Sequence, residues 1–210
     1  MVANLGLLQS YPHNNQLDGQ VIGLYGGSFN PAHAGHLHIS KEAIKRFKAD
    51  QLWWLVSPQN PLKSKDQLAP FEQRYDSALT MAEGHPKIRI SDFEQQYGLT
   101  YSIDTIRELQ ARFPKTHFFY MIGADNFALF HKWQGWQEIM HRIPIAIFPR
   151  PRYSMMARCG LAAQRMRHLM VSERVFKTRI RQGKIGWTFI ECRQNPLSST
   201  AIRDAGLFRW

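Results

Sequence analysis

Short apolar runs alternate with longer stretches of helical spacing along this 210-residue chain. "VIGLYG" at 21–26 is apolar, β-branched in part and closed by glycine, the pattern of a buried strand entering a tight turn. A helix is expected from about Gly35 to Lys48. "LWWLVS" at 52–57 reads as a strand, "PFEQRYDSALTMAE" at 70–83 as a helix and "KIRISDF" at 87–93 as a strand. "SIDTIRELQARF" is a helix closed by Pro114, followed by buried strands in "HFFYMIG" at 117–123 and "IPIAIF" at 143–148.

Strands separated by helical stretches of ten or so residues pair in parallel through right-handed crossovers. The predicted fold is therefore α/β, a doubly wound, mostly parallel sheet with helices on both faces. The chain length fits one domain, expected over residues 21–210 behind an N-terminal extension of residues 1–20. In such a sheet ligands bind beyond the carboxyl ends of the strands. The loops at those ends are "GGSFNPAHAGH", "SPQNPLKSK", "GADN" and "PRPRYS".

Composition narrows the function classes. With 44% hydrophobic residues and no block of like charge, the chain reads as folded. No apolar run reaches the roughly 18–20 residues that span a bilayer. The first 19 residues lack the basic and apolar regions of a secretory signal, so a cytoplasmic location is expected, with no membrane partner. Cys159 and Cys192 lack C-x-x-C spacing, which suits a reducing compartment. The formal charge of +11 is concentrated between His141 and Arg193, where twelve Lys/Arg face only Glu173 and Glu191. Such a segment attracts polyanions: nucleic acid, a membrane surface or a phosphorylated metabolite. A solvated basic helix face is the plain alternative.

The chemistry centres on "GGSFNPAHAGHLHIS", residues 26–40. Gly26 and Gly27 let main-chain N–H groups approach an anion, but they form neither the dinucleotide fingerprint nor a P-loop. His33 and His36 could share a helical face, yet no cysteine or acid stands nearby to complete a zinc site. A role as acid, base or charge stabiliser is better motivated, since imidazole donates hydrogen bonds to phosphoryl oxygens and is positively charged over an accessible pH range. Spacing alone leaves ordinary core or surface histidines open, and His38 is read as structural.

The stretch resembles the G-G-[ST]-F-[DN]-P-x-H-x-G-H-L motif of the H-x-G-H nucleotidyltransferase superfamily, with His33-Ala34-Gly35-His36 in the signature. "LSSTAIR", Leu197–Arg203, matches that superfamily's second motif, with leucine where isoleucine is usual. "TYSIDTIREL" at 100–109 and "GADNFALFHKWQGW" at 123–136 are similar to the nicotinate-nucleotide adenylyltransferase branch.

The resemblance implies a Rossmann-like nucleotidyltransferase that moves the adenylyl group of ATP to nicotinate mononucleotide in NAD biosynthesis, giving nicotinate adenine dinucleotide and pyrophosphate. It implies His36, with His33 beside it, at the reacting phosphates. Ser28, Phe29, Ser199, Thr200 and Arg203 would bind ATP phosphates, Ser199 and Thr200 capping a helix. Gly123 and Asp125 would hold the ATP ribose, although Asp125 read alone is equally a helix N-cap. Lys63, with Lys65 second, would take the mononucleotide phosphate. Thr100, Tyr101, Ser102, Trp133 and Gln134 would hold the nicotinate end, Trp133 by stacking, while Trp136 is read as core. Magnesium is expected with ATP, on phosphate oxygens and water rather than on protein side chains. Alternative acceptors are nicotinamide mononucleotide and phosphopantetheine. An RNA-binding protein on the same fold is the reading from another class, motivated by the basic segment alone, and nucleic acid is not expected as a partner. The oligomeric state is not legible.

Overall fold

In the computed structural model, residues 14–59, 68–151 and 153–208 are described. Lys63 and Lys65 lie outside them. Six strands form one sheet: β1 (Val21–Gly27), β2 (Gln51–Val56), β3 (Ile88–Ser91), β4 (His117–Gly123), β5 (Ile145–Phe148) and β6 (Trp187–Phe189). Their order is β3-β2-β1-β4-β5-β6, and every neighbouring pair is parallel. The connections supply α1 (Ala34–Phe47), α2 (Phe71–Ala82), α3 (Phe93–Gln96), α4 (Ser102–Arg112), α5 (Ala124–Ala128) and α6 (Trp136–Arg142). Beyond β5 come α7 (Ser154–Cys159), α8 (Leu161–Arg165), α9 (Glu173–Arg181) and α10 (Ser199–Asp204).

Continuous apolar strands are needed because both faces of the sheet are covered. Along β4, Phe118, Tyr120 and Ile122 enter one core with Ile106 and Leu109 of α4 and Phe127 of α5. Phe119 and Met121 point the other way, into a core with Ile39, Ala43 and Phe47 of α1, Ala78 of α2 and Phe176 of α9. The two-residue period of the strand thus feeds two separate cores. The five predicted strands are present, and the sheet is parallel throughout among the described residues. The sixth, β6, was not predicted: it is three residues long and follows a basic helix, but Trp187 is buried in the first core and its Nε1 donates to Met166 O at 2.6 Å.

Part of the expected extension joins this body. Leu17 is buried, its carbonyl accepts from Thr116 Oγ1 at 3.0 Å, and Gly19 N donates to Lys115 O at 2.9 Å. Among the described residues no helix is long and apolar enough to cross a membrane.

One buried cation organises the loops above the sheet. Arg74 of α2 is 1% exposed. Its Nη1 donates to Ser28 O (2.8 Å) and Ser57 O (2.7 Å), its Nη2 to Pro58 O (2.9 Å) and its Nε to Ala69 O (2.9 Å). The loops after β1 and β2 are thereby tied to one guanidinium, whose flat fork of donors matches several carbonyls at once. Replacing Arg74 with Met removes all four bonds and leaves buried carbonyls unpaired. The expected loss is on the order of 3 kcal/mol of unfolding free energy by urea denaturation; a loss below about 1 kcal/mol would show that the loops hold without it.

Candidate active site

The loops at the carboxyl ends of β1, β2, β4 and β5 surround a cleft of about 550 Å³. One wall is the β1–α1 loop from Gly26 to His36. Gly26 is required there, since a Cβ would run into Tyr120 Oη. Phe29 adopts a left-handed backbone (φ 45°) that a side chain disfavours. Its ring compensates by stacking on buried Trp54, with centroids 5.0 Å apart and planes at 14°. Ser28 Oγ is buried at the cleft with no hydrogen-bond partner, a polar atom left for a ligand.

The two histidines of the signature cap α1 reciprocally. His33, the N-cap, accepts from Gly35 N at Nδ1 (3.0 Å), while His36 Nδ1 accepts from His33 N (3.1 Å). This is a capping box built from imidazoles instead of hydroxyl and carboxylate. Because both Nδ1 atoms accept, each ring carries its proton on Nε2, the nitrogen available to a ligand. Gly35 is needed between them, since a Cβ would lie 2.7 Å from His33 Cε1. His36 is held from behind: Trp54 Nε1 donates to Ser40 Oγ (2.8 Å), which donates to His36 O (2.7 Å).

The expected positive charge on these rings is corrected by their surroundings. Burial, then the charge of Arg150, lowers His33 to about 4. Burial, followed by His33 and Arg150, drives His36 well below the ordinary imidazole value. At neutral pH both are neutral donors, and the cation that acts on them from the cleft lining is Arg150. Sequence reasoning noted the "PRPRYS" loop but did not single out this residue. Arg150 Nε lies 3.9 Å from Asp125 Oδ1 and its Nη1 donates to Leu197 O at 3.4 Å. The loop position just beyond β5 was the available signal.

The second motif closes the same wall from about 165 residues away. Ser199 Oγ donates to Pro31 O (2.8 Å) and Arg203 Nη1 to Asn30 O (2.6 Å). The cap of α10 is Ser198, whose Oγ accepts from Ala201 N at 3.1 Å, whereas Ser199 and Thr200 were expected to cap. Ser199 and Thr200 face the cleft; Arg203 is not among its lining residues and clamps α10 to the β1–α1 loop. Asp125 likewise does not cap: Gly123 is the N-cap of α5, and Asp125 lines the cleft with Oδ1 buried and without a hydrogen bond, its contact being the longer ion pair to Arg150.

At the other end stand Thr100, Tyr101, Ser102, Trp133 and Gln134. Trp133 packs edge-on against Tyr120 at 6.5 Å, and Ser102 Oγ is 3.3 Å from Tyr120 Oη. Trp136 is half-buried against the first core, and His38 Nε2 is 2.8 Å from Arg193 O, both outside the cleft lining. Buried Glu94 of α3 also lines the cleft and was not anticipated, since a glutamate in a short polar stretch reads as solvated. Among the described residues no group of three or more His, Cys, Asp or Glu could hold a metal ion.

Residues 24–205 match the cytidylyltransferase-like family. A "Probable nicotinate-nucleotide adenylyltransferase" of Rhizobium johnstonii is 42% identical over 92% of this chain and 96% of its own. One of the same description from Methylorubrum extorquens is 43% identical over 87% of this chain and 98% of its own. The chain belongs to the nicotinate-nucleotide adenylyltransferase family. In fold, this family member is similar to a Plasmodium falciparum nicotinic acid mononucleotide adenylyltransferase complexed with NaAD, with a TM-score of 0.66, 17% identity and coverage of 88% of this chain and 83% of that one.

The histidine environment of this adenylyltransferase sets a pH response. His33 binds its proton near pH 4 when folded and near 6.5 when unfolded. Between those values the unfolded chain holds more protons, so stability falls as pH drops from about 6.5 to about 4. His33→Asn keeps a capping oxygen and removes the titration. Its melting temperature should fall less than wild type across that window, with His36 retaining part of the slope; an equal fall would place the acid sensitivity elsewhere.

Proposed function

We propose that this chain joins nicotinate mononucleotide to the adenylyl group of ATP, forming nicotinate adenine dinucleotide and pyrophosphate. The observation that carries this is the convergence of the His33–His36 loop and the Ser198–Thr200 loop on one wall of a cleft whose far end holds Trp133 and the Thr100–Ser102 turn. Family membership supports the same reading.

In this reaction an oxygen of the mononucleotide phosphate attacks the α-phosphorus of ATP. The bond from that phosphorus to the bridging oxygen breaks, and pyrophosphate leaves with the electron pair. The attacking phosphate is already anionic, so positioning and charge stabilisation outweigh base strength. His36 and His33 supply Nε2–H donors to the reacting phosphates, fixed in direction by their own caps. Arg150 supplies the charge that these neutral rings lack. Ser28 and Phe29 offer the β1–α1 loop to the phosphates, Ser199 and Thr200 offer α10, and Arg203 holds the two together. Gly123 and Asp125 take the ATP ribose. Trp133 stacks on the pyridine ring, with Thr100–Ser102 and Gln134 around its carboxylate, and Lys63 or Lys65 reaches the mononucleotide phosphate. Magnesium would accompany ATP, held by phosphate oxygens and water rather than by side chains of this chain, and would neutralise part of the phosphate charge.

Pyrophosphate release with nicotinate mononucleotide, nicotinamide mononucleotide and phosphopantetheine side by side tests the acceptor; a better rate with either of the last two would displace this reading. His36→Ala should lower kcat by about 10²–10³, and near wild-type turnover would remove the phosphate contact. Trp133→Ala should raise KM for the mononucleotide about tenfold with little change for ATP, and an unchanged KM would take it out of the pocket.

A further inference from the structure

Glu94 takes no part in the reaction described above, yet it is built into the pyridine end of the cleft. It is 5% exposed and lines the cavity. Its Oε1 accepts from Thr105 Oγ1 at 2.9 Å, and its carbonyl accepts from Leu99 N at 2.8 Å. Thr105 Oγ1 also lies 3.4 Å from Tyr101 O, which ties the pair to the turn at Thr100–Ser102, and the Glu94 charge acts on Tyr120, against which Trp133 packs. Under the nicotinate reading, a carboxyl at this end of the cleft would face the one substituent that differs between nicotinate and nicotinamide nucleotides.

We propose that Glu94 sets the preference for a pyridine carboxylate over a carboxamide, donating a hydrogen bond to the carboxylate when protonated and repelling it when ionised. The inference rests on the nicotinate reading given above. Burial pushes the Glu94 carboxyl up to about 7, against the pull of the Thr105 hydroxyl. Both protonation states are therefore populated near neutrality, where a carboxylate ligand selects the protonated one.

Two phenols of the cleft lining do not share this titration. Tyr120 on β4, raised above the ordinary phenol value by burial, and Tyr25 on β1, pushed up to about 12, stay neutral. Asp92, before α3, accepts from Gln96 Nε2, and Asp104 on α4 pairs with Arg107 at the surface. Lys132, Asp125 and Arg150 bring their charges to other parts of the cleft lining. The pyridinium and phosphate charges are common to both mononucleotides. They cancel in a ratio of rates, leaving the carboxylate–Glu94 interaction as the difference.

The experiment measures kcat/KM for nicotinate and nicotinamide mononucleotides from about pH 6 to about pH 8.5 and follows their ratio. In wild type the acid-to-amide ratio should fall with rising pH, roughly tenfold for each unit by which the nicotinate carboxylate raises the proton affinity of Glu94. In Glu94→Gln, which cannot ionise, the ratio should be flat within about twofold. Should that variant fail to fold, Thr105→Val removes the hydroxyl that favours the ionised form and should move the wild-type transition to higher pH. A flat wild-type ratio, an undiminished slope in Glu94→Gln or an unmoved transition in Thr105→Val overturns the role of Glu94 while the substrate reading stands. No turnover of nicotinate mononucleotide by wild type overturns both.

Discussion

The guanidinium of Arg74 is the constraint on which the cleft depends. Loops beyond a parallel sheet have carbonyls with no ladder to enter, and burying them unpaired is costly. Arg74 satisfies four of them at once, from Ser28, Ser57, Pro58 and Ala69. With Ser28 fixed, Phe29 is held in its unfavourable backbone conformation above Trp54, and the following residues deliver His33 to the start of α1. Among the described residues no carboxylate forms an ion pair with Arg74; its hydrogen bonds all go to carbonyl dipoles, with the Phe71 ring 5.5 Å from its guanidinium carbon and the charge of Glu72 acting from a distance. A charged residue thus builds the frame of a site that binds charged ligands, without itself lining the cavity.

The histidines show how a cap becomes chemistry. A serine at the start of α1 would satisfy the helix equally well. Imidazoles do so with one nitrogen and keep the other for a ligand, so the helix end sets the tautomer of both rings. Their burial, with the charge of Arg150, keeps both rings neutral, and Arg150 itself brings a positive charge to the cleft from the loop after β5. Direction and charge are supplied by different residues.

Much of this architecture is legible in the letters. Strands β1, β2, β4 and β5 announce themselves because burial on both faces demands unbroken apolar runs, and β3 because isoleucines alternate at 88 and 90. The short β6 is hidden by its length, since three residues show no period. The cleft residues on loops after strands were readable from topology together with the two motifs. Arg74 was not, because an arginine on an amphipathic helix reads as solvated until the loops that bury it are placed. Glu94 was hidden for the same reason. The cap of α10 slipped by one residue, as two serines in succession offer the same hydroxyl and only the main-chain geometry chooses Ser198.

The joining of Ser199 to Pro31 has a consequence for how the protein is made. Synthesis proceeds from the N-terminus at about 5–20 residues per second, so the two sides of that contact emerge on the order of 10–30 s apart. In the interval β1 to β5 can assemble and the signature histidines can cap their helix, while this wall of the cleft still lacks its second half. The nascent sheet then carries a cleft with an open flank, closed only by α10, the last cleft-lining element in chain order among the described residues.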